Sequence, residues 1–187
     1  MYRNRVDAGN QLSESLKHYR NEPVVVLAIP RGGLPVAEQV AKKLGAPLDV
    51  ALSKKLGHPL NREYAIGAVS LNNVVINDDT GISKSYIEGE TKRIRDILQQ
   101  RHDQYYKNRP SQNLADKVVI IIDDGIATGS TVLATIDLVA THSPSKIVVA
   151  IPVAPELSVA RLQESPNVDE VICLSTCLLY TSDAADD

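Results

Sequence analysis

Val118-Val119-Ile120-Ile121-Ile122 is an unbroken run of β-branched residues that leads straight into Asp123-Asp124. Such a run reads as a strand buried on both faces, with its two acids at the carboxyl end. The loop Gly125-Ile126-Ala127-Thr128-Gly129-Ser130-Thr131 follows and opens into Val132 to Val139, which reads as a helix. Unpaired N–H groups in the loop and the first helical turn can cradle a phosphate. Gly129 lets the backbone come close, and Thr128, Ser130 and Thr131 add hydroxyl donors. Asp123 and Asp124 suit the vicinal hydroxyls of a ribose, at the strand end where open α/β sheets take ligands. The parts together make a place for a phosphorylated sugar.

Other phosphate motifs do not fit. There is no Gly-Lys-Ser/Thr of a Walker loop and no dinucleotide fingerprint. An apolar run followed by Asp-Asp-Gly is, by itself, also what a buried strand ending in a turn looks like. Val74-Val75-Ile76-Asn77-Asp78-Asp79-Thr80-Gly81 is a second, shorter copy of that kind. Ile82-Ser83 separates it from the next helix, so it reads as a turn, with Ser83 a helix cap.

The long segment resembles the ribose-5-phosphate loop of the type I phosphoribosyltransferases, which bind phosphoribosyl pyrophosphate (PRPP). The resemblance implies that Asp123 and Asp124 hold the ribose hydroxyls. Ala127, Thr128, Gly129, Ser130 and Thr131 would hold the 5′-phosphate. Ala127 stands where 6-oxopurine members of the family carry an Asp; adenine and uracil members tend to have Ala there. That departure points away from hypoxanthine and guanine as acceptors.

Two further segments carry chemistry. The first strand candidate, Val24 to Ile29, ends in Pro30-Arg31-Gly32-Gly33, a tight turn with a fixed positive charge. The resemblance assigns Arg31, Gly32 and Gly33 to the pyrophosphate of PRPP, in a loop that often holds a non-proline cis peptide. The second is Ser53-Lys54-Lys55-Leu56-Gly57-His58-Pro59-Leu60-Asn61-Arg62-Glu63-Tyr64, rich in bases and placed after a strand. Residues 54 to about 67 read as a long mobile loop, which type I enzymes close over the site at this position. With Arg31, Lys54 and Lys55 are then the catalytic candidates, neutralising the departing pyrophosphate; His58 and Glu63 are weaker ones. More broadly, Arg5-Val6-Asp7-Ala8-Gly9, Pro30-Arg31-Gly32-Gly33, Lys55-Leu56-Gly57, Glu63-Tyr64-Ala65-Ile66-Gly67 and Asp123-Asp124-Gly125 resemble bacterial members of unassigned acceptor. That likeness spans nearly all of residues 1–176.

The rest of the chain alternates strands and helices. Val6 to Tyr19 and Leu34 to Leu44 read as helices, the latter closed by Gly45. Leu48 to Ser53 reads as a strand, and Ala68 to Ser70 with Val74 to Ile76 as a short hairpin. Tyr86 to Lys107 reads as a long charged helix whose buried stripe is Ile87, Ile94, Ile97, Leu98 and Tyr105. Lys146 to Ile151, Glu156 to Gln163 and Val168 to Leu174 complete the pattern as strand, helix and strand. The order predicts an α/β fold: a doubly wound, mainly parallel sheet flanked by helices, with one flexible loop or hairpin.

A chain of 187 residues suits one such domain. A net charge of −3 makes no electrostatic case for nucleic acid, and no run approaches a membrane span. Cys173 and Cys177 have neither zinc nor redox spacing. A soluble, cytoplasmic protein is expected. Cys177 to Asp187 resembles a translated transposon-type sequencing adapter, so the expected domain is 1–176, carboxyl-terminally truncated, with 177–187 non-native. Removing Asp183, Asp186 and Asp187 would bring the charge from −3 to 0.

The reaction that the resemblance implies is transfer of a 5-phosphoribosyl group from PRPP to a nitrogenous nucleophile in nucleotide metabolism. Mg²⁺ would enter bound with PRPP, touched at most indirectly by Asp123 and Asp124. The partners are PRPP and a small-molecule acceptor, and homodimers are common in the family. The alternative is a regulator of the same fold that binds PRPP or a nucleotide without turnover. A kinase or synthetase would need an ATP site, and none is visible.

Overall fold

The apolar runs become the strands of one parallel sheet in the computed structural model, which describes residues 2–77, 81–107 and 109–178. β1 (Val24–Ala28) and β6 (Val118–Ile122) lie side by side, every residue of both buried. β2 (Leu48–Val50) flanks β1, while β7 (Lys146–Pro155) and β8 (Glu170–Cys177) continue beyond β6. All four neighbouring pairs are parallel.

Alternate residues of the central strands feed two separate cores. Val24, Val26, Ala28, Ile120 and Ile122 pack with α1 (Arg5–Leu16) and α2 (Gly33–Leu44). Leu27, Val119 and Ile121 pack with α4 (Ser130–Ala140) and α5 (Glu156–Glu164) on the other face. Each buried Val, Leu or Ile among them contributes roughly 2 kcal/mol of hydrophobic stabilisation. Because β1 runs into a helix on one face and β6 into a helix on the other, the chain parts between adjacent strands. A crevice opens there, at the carboxyl ends of the strands.

Residues 54–67 are not a loop. β3 (Ser53–His58) and β4 (Asn61–Ser70) pair antiparallel, and β5 (Val74–Ile76) pairs with β4, giving a second, three-stranded sheet. Leu56, Ile66 and Val69 bury one face of it against Ile94 and Leu98 of α3 (Lys84–Tyr106). The other face docks on α4 through Ala68 and carries charge toward the hairpin tip, so no continuous apolar run marks β3 in the sequence. Likewise, β2 stops at Val50 instead of Ser53. The expected hairpin around residues 71–73 is present as the β4–β5 pair.

The helices follow the periodicity with local shifts. Gly45 closes α2 at φ 62°, its N–H reaching the carbonyls of Ala41 and Lys42. α1 ends at Leu16 and continues as a 3₁₀ turn, Lys17–Tyr19. Ser83 caps α3, its hydroxyl accepting the N–H of Tyr86 at 3.3 Å. The buried stripe of α3 is Thr91, Ile94, Leu98 and Tyr106, whereas Ile97 and Tyr105 remain partly exposed. Tyr106 anchors the end of that helix: its hydroxyl donates to the buried Asp49 carboxylate on β2, which also accepts the N–H of Gln112 at 2.7 Å. The second sheet docks on α4 through Ala68 against Ala134 and Leu138, and through a 3.0 Å hydrogen bond between Ser53 and Thr135.

No helix among the described residues is long and apolar enough to cross a membrane. Asp78, Asp79 and Thr80 of the shorter acidic copy lie outside the described residues, as does the expected non-native segment from residue 179 onward. Cys177 is the last residue of β8.

Candidate active site

The loop after β6 forms a cup of about 180 Å³ lined by Asp123 and residues 125–132. Gly129 takes φ 80°, a conformation natural to glycine, and caps α4 without any side-chain hydrogen bond. The N–H of Ser130 makes a long 3.4 Å bond to the Thr128 hydroxyl, and the N–H groups of Thr131 and Val132 in the same turn suit an anion. The Thr128 and Ser130 hydroxyls bond each other at 3.0 Å on the rim. Helix α5 braces the loop from behind: Ser158 donates to the carbonyl of Ala127, and Arg161 donates to that of Thr128 at 2.9 Å.

The turn after β1 meets this loop directly. Pro30-Arg31 is a cis peptide bond. A Cβ on Gly32 would collide with the Asp124 carboxylate, and one on Gly33 would come within 2.6 Å of the Ile122 carbonyl oxygen. Only glycine lets the two turns close on each other. Gly32 and Gly33 are thus brought against Asp124 and the end of β6, whereas Arg31 lines a neighbouring cavity with α3 and not the cup.

The two acids have opposite surroundings. Burial pushes the Asp123 carboxyl well above the usual carboxylate range, and the adjacent Asp124 charge adds to this. The N–H of Asp124, donating to Asp123 at 2.8 Å, opposes the shift only in part. Asp124 instead meets Arg5 of α1, whose Nε and Nη2 lie 2.8 and 2.7 Å from a single carboxylate oxygen. Sequence reasoning placed Arg5 within a pattern without giving it a task; the 119 positions between the partners leave no local signal.

Lys54 and Lys55 stand apart from this cluster. Both lie on β3, and neither lines the cup. Lys55 bonds Glu63 across the hairpin at 2.9 Å and holds that carboxyl below its ordinary range. His58 accepts the N–H of Leu60 at 3.0 Å and so serves the turn.

Among the described residues, no group of three or more His, Cys, Asp or Glu could hold a metal ion. Asp123 and Asp124 offer hard oxygen donors at the crevice. They suit a Mg²⁺ that keeps waters and shares phosphate oxygens, rather than one caged by protein.

The phosphoribosyl transferase domain family matches residues 3–175. The chain belongs to that family. A Mycobacterium tuberculosis protein named "Putative phosphoribosyl transferase Rv0571c" is 39% identical over 185 residues, covering 96% of this chain. The chain spans 41% of that relative's length. Among solved structures, TT1426 from Thermus thermophilus superposes with a TM-score of 0.88 at 38% identity, covering 98% of this chain and 87% of the other. A purine phosphoribosyltransferase from Pyrococcus horikoshii shares the fold alone, with a TM-score of 0.51 at 19% identity over 100% of this chain and 97% of the other. The doubly wound sheet of the phosphoribosyl transferase domain is thus the fold expected from the sequence. Ser158 and Arg161, unnoticed in the sequence, hold the carbonyls of Ala127 and Thr128 in the loop after β6.

Proposed function

We propose that this domain transfers the 5-phosphoribosyl group of PRPP to a nitrogen nucleophile and releases pyrophosphate. One observation carries the reading: the turns after β1 and β6 close on each other, with Gly32 packed on the Asp124 carboxylate. A single ligand could span them, with its 5′-phosphate in the cup at residues 127–131, its ribose at Asp123 and Asp124, and its pyrophosphate at Arg31, Gly32 and Gly33.

The bond from the anomeric carbon to pyrophosphate breaks with its electrons leaving on oxygen, and the acceptor nitrogen forms the new bond. The acceptor's proton passes to solvent. The protein's work is positioning and charge stabilisation of a cation-like ribose. Mg²⁺ arriving with PRPP would neutralise charge on the leaving group. Lys54 and Lys55 act from the second sheet if it moves toward the crevice, adding positive charge as pyrophosphate departs. Ala127 favours an acceptor other than a 6-oxopurine.

The test is pyrophosphate release from PRPP across a panel of nucleobases. Turnover with one acceptor, lost in the Asp123→Asn, Asp124→Asn double variant along with PRPP binding, supports the reading. Unchanged PRPP affinity in the double variant refutes the ribose assignment. Tight PRPP binding with no turnover across the panel would instead favour a regulator.

A further inference from the structure

A face of α3 that the core does not use looks onto the turn after β1. Ile97, Gln100, Arg101, Gln104 and Tyr105 recur at spacings of three and four, so they share one side of the helix. With Pro30 and Arg31 they enclose a cavity of about 370 Å³. This explains why Ile97 and Tyr105 are absent from the core stripe: they form the wall of this cavity. Helix α3 cannot easily turn away, because Tyr106 is held by Asp49 one residue further on.

The cavity's charge is one-sided. Arg31 and Arg101 both line it, and no lining residue is acidic. Among the described residues neither guanidinium has an ion-pair partner. Two like charges facing one space repel each other until an anion enters, and guanidinium groups bind phosphate oxygens in pairs. Gln100 and Gln104 add neutral donors, which suit oxygens of a multiply charged ligand.

From this geometry we infer that α3 supplies the second wall of the pyrophosphate subsite, with Arg101 as a binding residue opposite Arg31. The inference rests on the PRPP reading of the crevice and extends it to a helix that the loop motifs do not include. The occupant is the pyrophosphate half of the donor, since Arg31 belongs to the turn that meets the ribose carboxylates.

The probes are inorganic pyrophosphate and ribose 5-phosphate, each titrated with Mg²⁺ by calorimetry into the full chain. Arg101→Gln should weaken pyrophosphate roughly 10-fold, as loss of a charge-assisted contact at a partly solvated site predicts. Ribose 5-phosphate should bind as before. Arg101→Lys should recover part of the loss, and Gln104→Glu should weaken pyrophosphate again. All three replacements favour helix, so folding is preserved and circular dichroism checks it. Unchanged pyrophosphate affinity in Arg101→Gln, or equal weakening of both probes, overturns the inference. Arg101-dependent pyrophosphate binding without any ribose 5-phosphate binding would support this wall while sinking the donor-site reading.

Discussion

β6 is buried along its whole length, whereas β4 is exposed from Asn61 to Tyr64 and buried only from Ile66 to Val69. The first strand sits inside a sheet covered on both faces, and its neighbours on either side are parallel. The second belongs to an antiparallel sheet held between α3 and α4, with few buried residues and an exposed, charged tip. The central sheet therefore behaves as a frame, and the small sheet as a separately packed attachment to α4. Candidate site residues divide along the same line. The cup and the Gly32–Asp124 contact belong to the frame, while Lys54 and Lys55 belong to the attachment.

The largest expected effect tests the frame. Ile120→Ala, at a fully buried position, should lower unfolding stability by about 3 kcal/mol in a urea titration. A loss below about 1 kcal/mol would break the claim that β6 is its rigid centre. Next comes the attachment. Lys55→Ala removes an ion pair whose Glu63 partner is almost fully exposed, so stability should stay within about 1 kcal/mol of wild type. The rate of pyrophosphate release should fall about 100-fold if the lysine reaches the departing charge. A parallel fall in stability would instead make Lys55 a structural residue of the hairpin.

A smaller effect separates the two acids. Burial raises the pKa of Asp123 above its unfolded value, so the folded state binds more protons than the unfolded chain. Stability then falls as pH rises from the ordinary carboxylate range through the raised value. Asp123→Asn should lack that fall and be more stable by on the order of 1 kcal/mol at neutral pH, while losing PRPP affinity. Melting curves at about pH 4 and about pH 8 check it; a variant less stable at both would reverse the sign. The smallest effect belongs to Arg5→Gln. Its pair with Asp124 is half-exposed, so about 0.5 kcal/mol of stability is at stake. A drop in PRPP affinity beyond that would mark Arg5 as a positioning residue for the ribose carboxylate.

The same contrast explains what could be read without coordinates. Val24 to Ala28 and Val118 to Ile122 were legible because strands buried on both faces need continuous apolar runs. Gly45 and Ser83 were legible because helix ends have local chemistry. The β3–β4 hairpin was not, since its charged residues and Gly57 mask strands whose few buried apolar side chains, Leu56, Ile66, Ala68 and Val69, are split between α3 and α4. On α3 the sequence suggests one apolar stripe, yet two neighbouring elements claim two faces of the helix. Thr91, Ile94 and Leu98 turn toward the small sheet, and Ile97 and Tyr105 toward Arg31.

By itself the sequence determined the parallel sheet, the acidic pair at the end of β6 and the small-residue loop that follows, because each depends on neighbours in the chain. Only the tertiary structure decided that Gly32 packs on Asp124, that Arg5 holds the same carboxylate, that α5 braces the loop carbonyls and that Arg101 faces Arg31. These contacts join residues far apart in sequence. Their energies depend on distances that only packing sets, so local propensity carries no trace of them.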